Sequence, residues 1–220
     1  MASLSPMHPG RSQPGFRFAR SPADWQGGRV TFPGEIPTLT DGPVVLRAHR
    51  PSDAERCVEQ SVDPESVRWT TVPTPYTLEH AHQFIGSRAM AWLDDTEWGF
   101  AVEVEGRFGG SVSLRNEGRG RAEIAYGSHP DVRGTGAMER ALRLLLGWGL
   151  TARDLRTVIW WANEGNWASR KLAWRLGFSY DGCVRGWLDH RGELTNAWVG
   201  TLLAGEAIQP REGWETASAR

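Results

Sequence analysis

The chain has 220 residues, room for one domain with a full hydrophobic core and unstructured ends. Its formal net charge is -1 with 23% charged residues, so no global field draws it to nucleic acid or to an anionic membrane, and neither is an expected partner. Cys57 and Cys183 lie far apart without C-x-x-C spacing, and no apolar run approaches a membrane span; disulfide frameworks, structural zinc and spanning helices are excluded, and a reducing cytoplasm is the expected setting.

Met1 to about Thr40 is rich in Pro, Gly, Ser and Arg and lacks sustained periodicity, so residues 1–40 read as a disordered arm, with Trp25 or Phe32 free to dock on the domain. It lacks the apolar stretch of a secretory signal. Arg11, Arg17 and Arg20 without an acid faintly resemble a transit peptide, but a basic tail is the reading taken. The domain is expected over residues 41–205. "PVVLRAHR" opens it as a short strand, and Ser52 with Glu55 predicts a capped helix in "PSDAERCVEQSV". "TLEHAHQFIGSRAMAWLDD" predicts a second helix, capped by Thr77, with Ala81, Phe84, Ile85 and Met90 on one face.

Strands follow in "EWGFAVEVE", "FGGSVSLRN" and "AEIAYGS", the first two joined at Glu105-Gly106 as a hairpin. After a glycine loop comes a helix to about Leu150, with Met138, Ala141, Leu142, Leu145, Leu146 and Leu150 three or four apart. "TVIWWAN" is a strand, and "NWASRKLAWRLGF" is a helix opened by Asn166 and stopped at Gly177. "YDGCVRGWLDHRGELTNAWVGTLL" gives two strands turning near Arg191-Gly192, and residues 206–220 read as a flexible polar tail. The order of elements is that of a mixed α/β sheet with helices packed on it.

Chemistry concentrates in "HPDVRGTGAMERAL", residues 129–142. Two glycines two apart stand between a strand and a helix, where an interior glycine costs about 1 kcal/mol relative to alanine. Either the backbone needs a turn there, or an anion must approach the first-turn N–H groups. The dinucleotide fingerprint is absent because Glu139 stands at its third glycine, and no Gly-Lys-Ser/Thr follows as in a P-loop.

The segment from Pro43 to Leu203 resembles the GNAT superfamily of acyl-CoA-dependent N-acyltransferases, and within it the RimJ/RimL-like branch that acetylates ribosomal-protein N-termini. The residues that carry the likeness are the R/Q-x-x-G-x-G/A loop at Arg133-Gly134-Thr135-Gly136-Ala137-Met138, "HP" at His129-Pro130, N-x-A-S at Asn166 to Ser169, "LGF" at 176–178, the "RWTTVPTPYT" segment, and the closing hairpin. The resemblance implies a mostly antiparallel sheet with helices on both faces, and acetyl-CoA as cosubstrate without a metal. It places the coenzyme pyrophosphate on the 133–138 loop, with Ser128 orienting the cofactor and Asn166 touching the pantetheine arm. Trp69, Pro75 and Tyr76 would wall the acceptor.

Three positions depart from the pattern. Met138 stands where Gly or Ala is preferred, so its side chain must point away from the anion. Ala173 replaces the tyrosine that protonates the departing thiolate in many relatives, and the resemblance to the Rim-like branch implies that role for Ser169. Asn196 occupies a place where the branch often has aspartate.

Alternatives stay open at several residues. Asn166 also serves as an ordinary cap, Ser169 as a helix hydroxyl bonded to its own backbone, and Glu123, the candidate base, as a solvated strand carboxylate. Trp160, Trp161, Trp174 and Trp198 read as packing residues. The six histidines show no metal spacing. With no strong base in the sequence, an α-amine (pKa about 7.7–8.0) suits the site better than lysine (about 10.4). A small-molecule amine and a silent acyl-CoA-binding module are the rival readings, and the chain is expected to be a monomer or homodimer.

Overall fold

The computed structural model describes residues 36–211 and 214. The expected arm of residues 1–40, with the docking roles of Trp25 and Phe32, falls almost wholly outside those residues. The elements are β1 (Leu39–Asp41), β2 (Val44–Arg47), α1 (Ala54–Val62), α2 (Pro64–Trp69), α3 (Leu78–Leu93), β3 (Glu97–Val104), β4 (Arg107–Gly118) and β5 (Arg121–Ser128). Then come α4 (Ala137–Ala152), β6 (Thr157–Asn163), α5 (Trp167–Arg175), β7 (Ser179–His190) and β8 (Glu193–Leu203).

The strands form one sheet in the order β1-β2-β3-β4-β5-β6-β8-β7. Among the described residues β5 and β6 run parallel and the other neighbouring pairs antiparallel. This is the mixed, mostly antiparallel α/β sheet that the sequence implies. Two-residue turns of positive φ close the β3–β4, β4–β5 and β7–β8 hairpins: Glu105-Gly106 (50° and 77°), Arg119-Gly120 (55° and 73°) and Arg191-Gly192 (57° and 87°). That conformation matches the twist of the flanking strands.

Side chains alternate across the sheet, and each face has its own core. Leu46, Phe100, Val102, Val112, Leu114 and Ile124 pack with Ala141, Leu142, Leu145 and Leu146 of α4. On the opposite face Ala101 and Phe108 pack with Ala54 and Cys57 of the α1 region and with Ala81 and Ile85 of α3. Thr77 caps α3 as expected, its Oγ1 accepting the His80 N–H at 3.3 Å.

Several local expectations are corrected. A short strand, β1, precedes the expected first strand and starts inside the expected arm. Ser52 does not cap α1: it lies in a 3-10 turn, Pro51–Asp53, and the Asp53 carboxylate takes the Arg50 N–H at 2.8 Å. Met90 is 54% exposed, and Ala89 takes the buried position beside Ala81 and Ile85. The stretch between α1 and α3 is not wholly irregular, because Asp63 caps the added helix α2 by accepting the Ser66 N–H at 3.1 Å.

Packing also continues past Leu203. Ile208 lies against the α4 core, Trp174 Nε1 donates to Arg211 O at 2.8 Å, and buried Trp214 donates to Phe178 O at 2.7 Å. The described part of the 206–220 segment is thus bonded to the domain. No helix among the described residues is long and apolar enough to cross a membrane.

Candidate active site

The parallel pairing of β5 and β6 is short. It covers Arg121↔Thr157, Ala122↔Val158 and Glu123↔Ile159, while β5 continues to Ser128 and β6 to Asn163. Beyond Glu123 the two strands part, which leaves an edge of β5 with backbone N–H and C=O groups turned to the gap. A cavity of about 1880 Å³ runs through this gap, lined by residues from both faces of the sheet.

At its mouth stands the glycine loop. Gly134 and Gly136 have φ of 77° and 83°, and a Cβ built on either meets no atom within 4 Å. The backbone conformation therefore favours glycine at both positions, and the space above them is open. The α4 helix begins directly behind, so its first-turn N–H groups lack intrahelical acceptors; that of Ala137 donates to Thr135 Oγ1 at 3.3 Å. Met138 turns inward and is 9% exposed, packed in the α4 core. The resemblance required the side chain to point away.

Arg133 reaches sideways: Nη2 lies 2.6 Å from Asp63 Oδ1, 2.9 Å from Ser66 Oγ and 3.3 Å from Ser128 O. It ties the α1–α2 junction to the loop, and its guanidinium lowers the Asp63 pKa. Thr135 Oγ1 donates to Val132 O at 2.7 Å. Buried His129 adds a second tie. Its Nδ1 accepts the Asp131 N–H at 3.2 Å, so Nε2 carries the proton toward Glu59 Oε2 at 3.0 Å. Ser128, Arg133, Gly134, Gly136, Met138 and Asn166 line the cavity; Thr135 and Ala137 do not.

On the α1–α3 face the cavity floor is made of small residues, Gly99, Ser111, Ser113, Ala125 and Gly127, and their lack of bulk is what leaves the space. A row of charges borders it. Arg88 Nη1 lies 2.8 Å from Glu97 Oε1, and Arg115 Nη1 lies 3.0 Å from Glu123 Oε1. Burial pushes Glu97 up, but the charges of Arg88 and Arg115 together hold it below the usual carboxylate range. Burial raises Glu123 instead, against the single charge of Arg115 and with help from Glu117 and Glu97. Two carboxylates on one face are thus pushed apart, and Glu123 is the stronger base. At the far end of the floor His49 is 1% exposed with Nε2 3.0 Å from Ser111 Oγ, and burial drops its pKa to about 3.

On the opposite face lie Asn166 and Ser169 of α5. Asn166 Oδ1 accepts the Ser169 N–H at 3.1 Å, so the cap is real. Ser169 Oγ lies 2.7 Å from the Tyr126 hydroxyl and 3.0 Å from Trp160 Nε1. Tyr126 escaped the sequence reading, as did the Arg88–Glu97 pair. The signal for Tyr126 was its parity in "AEIAYGS": three residues from Glu123, it must sit on the other face of β5.

The expected acceptor wall is divided. Trp69 ends α2 and lines the cavity, with Nε1 3.0 Å from Glu65 Oε2. Tyr76 also lines it but is 8% exposed and packed in the second core, where burial pushes its hydroxyl up to about 12. Pro75 is exposed and outside the lining. The tip of the closing hairpin pins this wall: Arg191 donates to the carbonyls of Val67, Thr70 and Val72 at 3.2–3.3 Å and to Thr74 Oγ1 at 3.0 Å. Of the expected packing tryptophans, Trp160 and Trp198 are buried, whereas Trp161 lines the cavity and stacks on exposed Trp187 at 5.4 Å.

Comparison with known proteins gives a consistent result. The family described as acetyltransferase (GNAT) domain matches residues 44–179. An uncharacterized N-acetyltransferase, p20, of Bacillus licheniformis is 26% identical over 176 residues, covering 77% of this chain and 97% of p20. Among solved structures, RimL, a ribosomal L7/L12 α-N-protein acetyltransferase in complex with coenzyme A, superposes with TM-score 0.69 at 16% identity, over 76% of this chain and 98% of RimL. The ribosomal-protein-S5-alanine acetyltransferase of Vibrio fischeri gives 0.68 at 18%, over 77% and 98%. At these identities the structural likeness speaks to the fold.

Proposed function

The chain belongs to the GNAT acetyltransferase family of acetyl-CoA-dependent N-acyltransferases, and from that membership we propose that it acetylates the N-terminal α-amine of a protein or peptide. The observation that carries this reading is Glu123, a half-buried carboxylate whose pKa is raised by desolvation, on the small-residue floor beside the gap between β5 and β6. A carboxylate is a weak base. Near pH 7.5 roughly a third of α-amines are already neutral, against about one lysine in a thousand. Glu123 suits the first acceptor and not the second.

Acetyl-CoA supplies the thioester. The open cradle at Gly134 and Gly136 and the α4 N-terminus would hold its pyrophosphate, and Ser128 and Asn166 would flank its arm. The acceptor amine enters on the Glu123 face and the thiol departs on the Ser169 face, so β5 separates base from acid. A backbone N–H on the unpaired edge of β5 meets the developing oxyanion. Glu123 takes the proton released by the amine, directly or through water.

The test is a mass-shift assay with acetyl-CoA and three acceptors: a lysine-free peptide with a free N-terminus, an N-terminally blocked peptide with lysine, and a small polyamine. Acetylation of the first alone is expected. Transfer only to lysine or to the polyamine overturns the α-amine assignment. Tight acetyl-CoA binding with no transfer makes the chain a silent binding module.

A further inference from the structure

Ser169, Tyr126 and Trp160 form a closed hydrogen-bond triangle on the cofactor face of β5. Trp160 Nε1 carries a proton and no lone pair, and it lies 3.0 Å from Ser169 Oγ and 3.1 Å from the Tyr126 oxygen. The two hydroxyls are 2.7 Å apart, and the Tyr126 oxygen is also 3.3 Å from the Ser169 carbonyl. Each hydroxyl has one proton and two lone pairs, so the direction of the short bond decides what Ser169 can do.

Were Ser169 to donate to Tyr126, the tyrosine proton would be left with the carbonyl at 3.3 Å, beyond the usual O–H···O range of about 2.5–3.0 Å. With Tyr126 as donor, its proton lies in the 2.7 Å bond, near the commonest length. Both lone pairs of Ser169 are then filled, one by Tyr126 and one by Trp160. Its own proton then has no acceptor among the described residues and points into the cavity, which Ser169 and Tyr126 both line. A helix serine ordinarily bonds back to a carbonyl of its own helix, and this triangle draws the hydroxyl away from that.

We propose that Tyr126 is a positioning residue for acetyl transfer: it fixes Ser169 as a hydrogen-bond donor toward the leaving sulfur and refills it as its proton departs. The proposal rests on the acetyl-transfer reading of the site. As the C–S bond breaks, its electron pair stays on sulfur and the Ser169 proton moves there to give the thiol. The Tyr126 proton shifts to Ser169 Oγ, and a solvent proton restores Tyr126. The amine's proton leaves on the Glu123 side, so charge balances over the turnover. Burial pushes the Tyr126 hydroxyl up to about 12, so it holds its proton until the serine calls for it.

The test is a double-mutant cycle on the full chain with Tyr126→Phe and Ser169→Ala, following acetylation of the N-terminal peptide and acetyl-CoA affinity by calorimetry. Tyr126→Phe keeps the ring and removes only the hydroxyl. It is expected to lower kcat by about 5- to 30-fold with acetyl-CoA affinity within twofold, and to reduce the solvent deuterium effect on kcat. In the Ser169→Ala background it is expected to change kcat less than twofold, because Tyr126 acts through the serine. Wild-type kcat in Tyr126→Phe overturns the assignment. So does an equal loss in both backgrounds, which would mean that Tyr126 acts on its own or only through packing. A wild-type chain that transfers acetyl to nothing fails the functional reading first, before any variant is made.

Discussion

Arg115 and Glu123 stand opposite each other on β4 and β5, with Nη1 3.0 Å from Oε1, yet Glu123 remains the more basic of the two half-buried glutamates on that face. Both line the cavity, but Glu97 is held down by two arginines, whereas Glu123 has one. Replacing Glu123 by Gln is expected to lower kcat/KM for a peptide α-amine by about 10- to 100-fold near pH 7. The loss should shrink toward pH 9, where the amine is already neutral. In the wild type, activity falls at low pH as Glu123 gains its proton, from a pKa above the ordinary carboxylate value. A pH–rate profile of both proteins checks this, and a deficit independent of pH would make Glu123 a structural partner of Arg115.

The loop glycines allow a cleaner test than a bulky replacement. Valine at position 136 would combine strain with crowding, because φ there is 83°. Asparagine tolerates this left-handed region, and its side chain enters space that holds no atom within 4 Å of a Cβ. Gly136→Asn is expected to leave Tm within a few degrees while weakening acetyl-CoA binding at least about tenfold, since the pyrophosphate and the amide side chain compete for one cradle. Calorimetry decides. Unchanged affinity would reduce the glycine pair to a turn.

The strand and helix periods, the two hairpin turns and the glycine loop were legible in the sequence because each is a local pattern. Glu105-Gly106 and Arg191-Gly192 mark turns by their glycines. The triangle at Ser169 was not legible, since Tyr126, Trp160 and Ser169 lie on three elements and meet only when β5 and β6 splay under α5. Glu97 escaped for the same reason: its partners Arg88 and Arg115 come from α3 and β4. The packing beyond Leu203 was not legible either, because Glu206 and Arg211 look like tail residues until their pairing at 2.7 Å and the burial of Trp214 are seen.

Arg47 and Asp53 form a buried pair, 2.8 Å apart and about 5–6% exposed, with Glu103 on the Arg47 Nε at 2.5 Å. Burial raises the Asp53 carboxyl, but the Arg47 guanidinium and the Arg50 N–H together bring it below the usual range. A depressed folded pKa contributes stability that is present above the unfolded value of about 3.9 and is lost as pH falls through the folded value. Removing the acid leaves a buried cation with Glu103 alone. Asp53→Ala is expected to cost about 3–5 kcal/mol near neutral pH, with the difference from wild type narrowing below about pH 4. Denaturant unfolding at pH 7 and pH 3.5 measures both. An equal loss at the two values would place the cost in packing and not in the pair.

Trp214 closes a cage around Arg170, a residue only 4% exposed whose guanidinium lies 4.5 Å from the ring centre of Tyr180, 4.7 Å from Trp198 and 5.4 Å from Trp214. Such a buried cation is held by ring faces, and each contributes about 0.5–2 kcal/mol according to how dry it is. The Trp214 ring also lies 5.9 Å from that of Trp160, which supports the Ser169 triangle. Trp214→Ala would open a void in the α4-side core and take one face from Arg170. A loss of about 3–5 kcal/mol is expected, roughly 6–20 °C in Tm for a chain of this size. Trp214→Phe keeps a ring face and loses only the N–H bond to Phe178 O, so about 1–2 kcal/mol is expected there. Thermal unfolding of the two variants separates the ring from the hydrogen bond. An unchanged Tm in Trp214→Ala would return the segment after Gly205 to the status of a tail, and the cage of Arg170 would then rest on Tyr180, Trp198 and Trp167, whose ring centre lies 5.3 Å from the guanidinium.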